Sequence, residues 1–184
     1  MWKKGPVFLI GFSLIVVVFM GWVSLLPDAV ALKSEYHFQH DKLAVKNYLS
    51  SSENWKQWLF STWDPDMKFI QNGPLVGNGA GFKWFSKLEG DGAVEIKYVT
   101  NDSLVYELIS DKGMFRERGQ FVFEQMEEGT KVVWTDTLDV STSFFARLAA
   151  RKENFTLNIN AKNKSTLQKM DSLMKLPHTN LTGK

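Results

Sequence analysis

The sequence contains no cysteine. That excludes disulfide bridges, thiolate zinc sites and cysteine nucleophiles. Charge of either sign is also not in excess: 22 Lys and Arg stand against 20 Asp and Glu, a net charge of +2. A nucleic-acid-binding surface has to neutralise phosphates, so this balance argues against nucleic acid as a partner. No P-loop, GxGxxG, GxSxG or HExxH motif occurs. The common signatures of nucleotide binding, serine hydrolysis and zinc proteolysis are therefore missing. His37 and His40 stand three apart on a strand-like segment. They point to opposite faces and cannot ligate one metal by themselves. No cofactor and no metal site are expected.

What the chain does have is aromatic residues and one long apolar run. There are 14 Phe, 7 Trp and 4 Tyr among 184 residues. Such a composition fits a folded chain rather than a disordered one. Val7 to Leu26 reads VFLIGFSLIVVVFMGWVSLL, with no charge and no proline. A helix of that length spans about 30 Å, the thickness of a bilayer's hydrocarbon core. Trp2 and Trp22 stand near its ends, Lys3 and Lys4 before it and Asp28 after it. The positive-inside bias then leaves the N-terminus in the cytoplasm. The expected location is the cell membrane, crossed once, with the remaining domain on the outer (periplasmic or extracellular) side. Two other readings stay open. Ala29-Val30-Ala31 has the small-x-small form of a signal cleavage site, although a signal h-region is typically shorter, about 7–15 residues. The run could also be a core helix.

After the run, about 157 residues remain, enough for one domain that buries roughly two-thirds of its unfolded surface. Leu32 to His40 alternates apolar and polar, as a half-buried strand does. Asp41 is placed to cap a short helix through Leu49 with apolar positions Leu43, Val45 and Tyr48. Ser50 to Ser52 breaks it, and Trp55 and Trp58 share a face of a second short helix. Asp64-Pro65-Asp66 and Asn72-Gly73-Pro74 read as turns. From Gly79 a meander of about six antiparallel strands is expected, with turns at 89–92, 101–102, 111–113 and 127–129. Inward parity falls on Ala80, Phe82, Trp84, then Val94, Ile96, Tyr98, then Leu104, Tyr106, Leu108. Phe121 and Phe123 follow, then Val132, Trp134 and Leu138. From Phe144 to Leu176 the spacing is helical (Phe144, Leu148, Phe155, Ile159, Met170, Leu173), and Pro177 stops it. A continuous helix there would be roughly 45 Å long. Asn154, Asn158, Asn160 and Asn163 could bend its middle.

The order is strand, two short helices, meander, long helix. A sheet with one apolar face must be covered, and the last helix is the element large enough to cover it. The expected class is α+β: a curved antiparallel β-sheet wrapped around a long C-terminal helix and preceded by one transmembrane helix. The expected division is 1–27 anchor, 28–177 a single α+β domain and 178–184 disordered tail.

Several segments bear on family. They are Asn54-Trp55-Lys56-Gln57-Trp58, then Gly77-Asn78-Gly79-Ala80 leading to Trp84, then Gly92, Ile96, Val99 and Asn101, and last Gly129-Thr130-Lys131-Val132-Val133-Trp134. In order and spacing, from Pro27 to Leu176, the chain resembles the START-like helix-grip (SRPBCC) superfamily and, within it, the polyketide cyclase/dehydrase-like branch. Many bacterial members carry a similar N-terminal membrane helix. The resemblance implies a cavity for a hydrophobic ligand and does not specify a reaction.

With that cavity in view, the candidate ligand-binding residues are Tyr36, Phe38, Trp84, Ile96, Tyr98, Tyr106, Phe121, Phe123, Trp134 and Phe155. The competing reading is that they are simply core. Tyr and Trp carry one polar atom that needs a partner when buried, which suits an amphipathic ligand. Trp55 and Trp58 are better explained as packing a helix on the sheet. Glu117 and Asp136 also have inward parity and are the weak catalytic candidates. A desolvated carboxylate has a raised pKa and can act as a general acid or base. Against that, one β-bulge reverses parity, a strand end sits at a solvated rim, and Arg116 or Arg118 could hold a carboxylate in a surface pair. Asn101, Asn154, Asn163 and Asn180 begin glycosylation sequons that matter only in a eukaryotic secretory pathway. The expected function is a membrane-anchored binding domain for a hydrophobic or amphipathic small molecule, lipid included, with residues 7–26 in the membrane. The alternatives are a cyclase- or hydrolase-type enzyme using an inward carboxylate with Tyr98 or Tyr106, and a non-enzymatic module that binds a partner protein.

Overall fold

The structure, a computed structural model, describes residues 5–60, 64–110 and 115–175, without the side chains of residues 5–10 and 153. Trp2, Lys3, Lys4, the 111–113 turn, Leu176, Pro177 and the 178–184 tail lie outside the described residues.

Helix α1 runs from Gly5 to Ser24. Its described side chains are mostly exposed: Leu14 is 67% exposed, Val17 68% and Met20 60%. Among the described residues, no helix is long and apolar enough to cross a membrane, so the expected transmembrane helix is not supported here.

Strand β1 (Ala29–Phe38) follows almost directly. It alternates as its sequence demands, burying Val30, Leu32, Ser34 and Phe38. Asp41 caps α2 (Lys42–Leu49) by accepting from the Ala44 N–H at 2.8 Å. Val45, Tyr48 and Leu49 are buried, whereas Leu43, expected on that face, is 60% exposed. Helix α3 (Ser52–Trp58) buries Trp55 and Trp58. The Trp55 indole N–H donates to the Leu49 carbonyl at 2.6 Å, tying the two short helices together.

The meander comprises β2 (Lys68–Asn72), β3 (Gly81–Phe85), β4 (Gly92–Val99), β5 (Ser103–Ser110), β6 (Phe115–Gln125) and β7 (Thr130–Asp139). Strand β2 has no sequence signal, because it is an edge strand with all five residues exposed and nothing to alternate. All neighbours are antiparallel, in the order β1-β7-β6-β5-β4-β3-β2. Gly129 turns the β6–β7 hairpin at φ 83°, and a Cβ there would stand 2.0 Å from the Phe38 carbonyl oxygen.

The expected continuous C-terminal helix is two helices. Helix α4 (Phe144–Ala150) stops at Arg151, and α5 (Glu153–Met174) begins after extended Lys152. The break precedes the asparagines rather than falling among them. Helix α5 lies along edge strand β1. Its Asn160 Oδ1 accepts from the Lys33 N–H at 3.1 Å, and its backbone accepts from Ser34 Oγ at 3.0 Å. Farther along, Asp171 Oδ1 accepts from the Gln39 N–H at 3.1 Å. These bonds satisfy an edge that would otherwise be free to pair with another chain.

The main core lies between the sheet, α2, α3 and α5, with Phe82, Leu104, Phe121, Val132, Leu167 and Met170 at 0% exposure. A smaller core of Val30, Leu32 and Val140 packs with Phe155 and Ile159.

Candidate functional site

Register sets the site. On the inward face of β5, β6, β7 and β1, Leu104, Phe121, Trp134 and Ser34 stand side by side. The next level is Tyr106, Gly119, Asp136 and Leu32, and the one after it Leu108, Glu117, Leu138 and Val30. The first two levels are sealed: Leu104 and Phe121 are 0% exposed, Tyr106 1% and Asp136 3%. In the third, Leu108, Glu117 and Leu138 are half-buried. Exposure therefore increases from the sealed levels to that of Glu117, and Asp136 lies behind it.

Polar groups converge there. Tyr106 Oη lies 2.6 Å from Glu117 Oε1 and 2.6 Å from Asp136 Oδ1. The Trp134 indole N–H donates to Asp136 Oδ1 at 2.7 Å and to Tyr106 Oη at 2.9 Å. From α5, Asn163 Nδ2 donates to Asp136 Oδ2 at 3.1 Å. Gly119 makes the meeting possible, since a Cβ on it would stand 2.2 Å from Asp136 Oδ1 and 2.2 Å from Tyr106 Cζ. Aromatic rings wall the cluster: Tyr106 stacks on Phe121 at 5.7 Å, and Trp55 meets Tyr106 edge-on at 4.9 Å.

The protons can be counted. Tyr106 has one O–H and can donate to only one of its two carboxyl neighbours. The other short contact needs a carboxylic acid donating to Tyr106 Oη. The geometry thus favours one added proton on the Glu117–Asp136 pair. The electrostatics agree: burial, then the negative charge of Glu117, pushes Asp136 up to about 7. Burial raises Glu117 as well, opposed by its bonds to Tyr106 and Asp136 and by the Lys162 charge. Tyr106 is raised well above the phenol range by burial and by both carboxylates, so it stays a donor. A protonated acid at the half-buried end of the cluster, backed by a tyrosine and a second carboxyl, can bond a ligand's polar group or pass it a proton.

Glu117 and Asp136 are both inward, as their parity predicts, and are joined by Tyr106 rather than paired with Arg116 or Arg118, which are exposed on the other face. Of the aromatic and aliphatic set, Phe38, Trp84, Ile96, Tyr106, Phe121, Phe123 and Trp134 are buried in the main core. Tyr36 packs at its edge, and Phe155 joins the smaller core. Tyr98 is a correction. The register shifts between Ile96 and Tyr98, and the bulge turns Tyr98 outward to 62% exposure. Gly119 and Asn163 are positions of this cluster that the sequence candidates do not include. Their signals are present: a glycine at inward parity between Glu117 and Phe121, and an asparagine on the same helical stripe as Leu167 and Met170. Among the described residues, the buried indole nitrogens of Trp58 and Trp84 have no hydrogen-bond partner, and no group of side chains could hold a metal ion.

No protein-family model and no curated protein sequence matches the chain. Solved structures do match. TTHA0849 from Thermus thermophilus superposes with a TM-score of 0.59 at 17% identity, covering 79% of this chain and 97% of that one. Ara h 8.0201 gives 0.54 at 11% identity, covering 79% and 97%. The chain has the helix-grip fold. The di-domain ARO/CYC StfQ of the steffimycin biosynthetic pathway gives 0.55 at 14% identity, with 80% of this chain on 51% of that one. At these identities the likeness concerns the fold alone.

Proposed function

We propose that this helix-grip domain binds an amphipathic small molecule whose polar group bonds to Glu117 and Tyr106 and whose apolar part lies along Leu108 and Leu138. The observation that carries the reading is the Tyr106–Glu117–Asp136 cluster. Buried acids are costly unless bonded, and this cluster is built from three strands and a helix, with Glu117 at its half-buried end. A lipid is the ligand class favoured by position. Leu138 pairs with Val30, only a few residues beyond the apolar run that ends at Leu26. Residues 7–26 are proposed to anchor the chain, with the domain on the outer side of the membrane. Their lack of charge and the exposure of the α1 side chains support that reading.

The test of binding is mass spectrometry of what copurifies with the full chain in mild detergent. A defined amphiphile, retained by the wild type and lost from Tyr106→Phe, is expected. Only detergent and bulk membrane lipid, in equal amounts on both proteins, would overturn the reading. For the anchor, a mature chain beginning at Leu32, or release of the protein by high salt, would do so. A reporter fused at Lys184 should be active only outside the cytoplasm.

A second reading has one specific observation in its favour. Glu117, Tyr106 and Asp136 meet in one hydrogen-bonded cluster in which burial pushes Asp136 up to about 7, the arrangement a cyclase- or hydrolase-type enzyme would use for general acid–base chemistry. Glu117→Gln separates the two: it keeps a hydrogen-bonding ligand but abolishes turnover of any substrate that needs the proton.

A further inference from the structure

Helix α4 presents two unlike sides. Ala146 and Ala150 pack on the small core of Val30, Leu32 and Val140. Away from that contact, Phe145 is 79% exposed and Leu148 only half-buried. A helix on a water-facing surface places polar residues there. On this side α4 has none: Arg147 turns to the end of α1, and exposed Arg151 and Lys152 follow only after the helix.

This side continues the surface of α1. The Phe144 ring lies 5.9 Å from Phe19 and 6.3 Å from Trp22, and 5.5 Å from Phe145. Leu25, at the end of the run, is 78% exposed. The arrangement is fixed by Arg147. Its Nη2 donates to the Leu26 carbonyl at 2.7 Å and pairs with Asp28 at 2.9 Å, while its Nε donates to the Pro27 carbonyl at 3.3 Å. The guanidinium thus clamps α4 beside the last turn of α1.

We infer that α4 docks on the surface of a phospholipid bilayer, with Phe145 and Leu148 in the boundary between headgroups and acyl chains and Arg151 and Lys152 against the phosphates. The inference rests on the anchor reading for residues 7–26. Trp22 is the interfacial residue of that anchor, and its ring contact puts Phe144 at the same depth. Aromatic and aliphatic side chains on one side with cations beside them are the chemistry of an interfacial helix. Docking would hold the half-buried Glu117 end of the cluster close to the bilayer, because Val140 of the small core follows β7 directly after Leu138 and Asp139.

The absence of cysteine permits a direct test on the full chain. Leu14→Cys, Phe145→Cys and, as a control at the far sheet edge, Ile70→Cys each carry an environment-sensitive fluorophore. The proteins are placed in vesicles of phosphatidylcholine and phosphatidylglycerol containing spin-labelled lipid. Labels at 14 and 145 should shift to the blue and be quenched. Label 145 should respond most to lipid spin-labelled near the headgroup, and label 70 should show neither effect. Quenching at 14 with water-like emission at 145 would overturn the docking and leave the anchor standing. No quenching at 14 would overturn the anchor and the docking with it. A blue shift at 145 that depends on protein-to-lipid ratio, without quenching, would identify a second copy as the occupant and also overturn the proposal.

Discussion

The Tyr106 hydroxyl and the Asp136 carboxylate, on strands that are not neighbours, meet at 2.6 Å over Gly119 on the strand between them. Any side chain at 119 would occupy the space in which they meet. Gly119→Ala places a methyl carbon 2.2 Å from both Asp136 Oδ1 and Tyr106 Cζ. Neither neighbour is free to yield, since Tyr106 is stacked on Phe121 and Asp136 is bonded from Trp134 and Asn163. Overpacking of this kind costs about 1–3 kcal/mol, and the broken hydrogen bonds add about 1–3 kcal/mol more. Chemical unfolding of the full chain in mild detergent, followed by tryptophan fluorescence, should show a loss in the upper part of that range. A variant as stable as the wild type would mean that the cluster is not held as described.

Tyr106→Phe removes one oxygen and leaves the ring. Asp136 keeps its bonds from Trp134 and Asn163, but Glu117 loses Tyr106 and keeps only its contact with Asp136. The expected loss is about 1–3 kcal/mol, the penalty for a desolvated polar group left unbonded. Glu117→Gln in the same background should then cost little further, because the two changes delete one shared interaction. Simple additivity of the two losses, measured in a double-mutant cycle, would count against the coupling.

Much of this architecture is readable from alternation. Phe38, Phe82, Trp84, Tyr106, Phe121 and Trp134 point inward because a half-buried antiparallel strand admits only that pattern. The same parity carries Glu117 and Asp136 inward. What parity does not contain is which inward residues meet, since Tyr106 reaches Asp136 across β6 only through the register of three strands. Parity misplaces Tyr98 because of a bulge, which leaves no mark in a pattern of apolar residues. It misses strand β2 because an exposed edge strand has no buried face to reveal it. Spacing alone makes the C-terminal helix continuous because Leu148 and Phe155 are both apolar at helical intervals, although they pack on either side of a break at Arg151 and Lys152.

Trp84 distinguishes a filled core from a ligand cavity. Its ring is 3% exposed, lies beside Phe60 and Phe82, and covers Gly92, where a Cβ would stand 2.2 Å from Trp84 Cζ2. Trp84→Ala should therefore cost about 3–5 kcal/mol, as other large-to-small core changes do, with no change in bound amphiphile beyond that due to unfolding. Tyr98→Ala, at an exposed position, should stay within about 0.5 kcal/mol of the wild type. A small loss at Trp84 accompanied by loss of ligand would move the binding site to that end of the sheet.

The acid cluster also sets the pH dependence of stability. Asp136 has its folded pKa raised to about 7 from an ordinary value of 3.8. The folded state therefore holds a proton between those values that the unfolded chain has released. Stability contributed by this group is complete below the unfolded pKa and is lost as pH rises towards the folded one. The steepest slope is about 1.4 kcal/mol per pH unit for a single proton. Glu117, raised by the same burial, acts in the same direction. Unfolding of the full chain at closely spaced pH values from about 4 to about 8 should therefore show stability falling with rising pH, against the usual trend for surface carboxylates. Asp136→Asn keeps the shape and removes the titration, so its curve should be flatter over the same interval. Carboxylates held low, such as Glu35, Asp64 and Asp139, act in the opposite direction, so the difference between the two curves isolates the pair. A difference that stays constant across this window would show that Asp136 does not take up the proton, and the shared proton would then have to be abandoned along with the acid–base reading that depends on it.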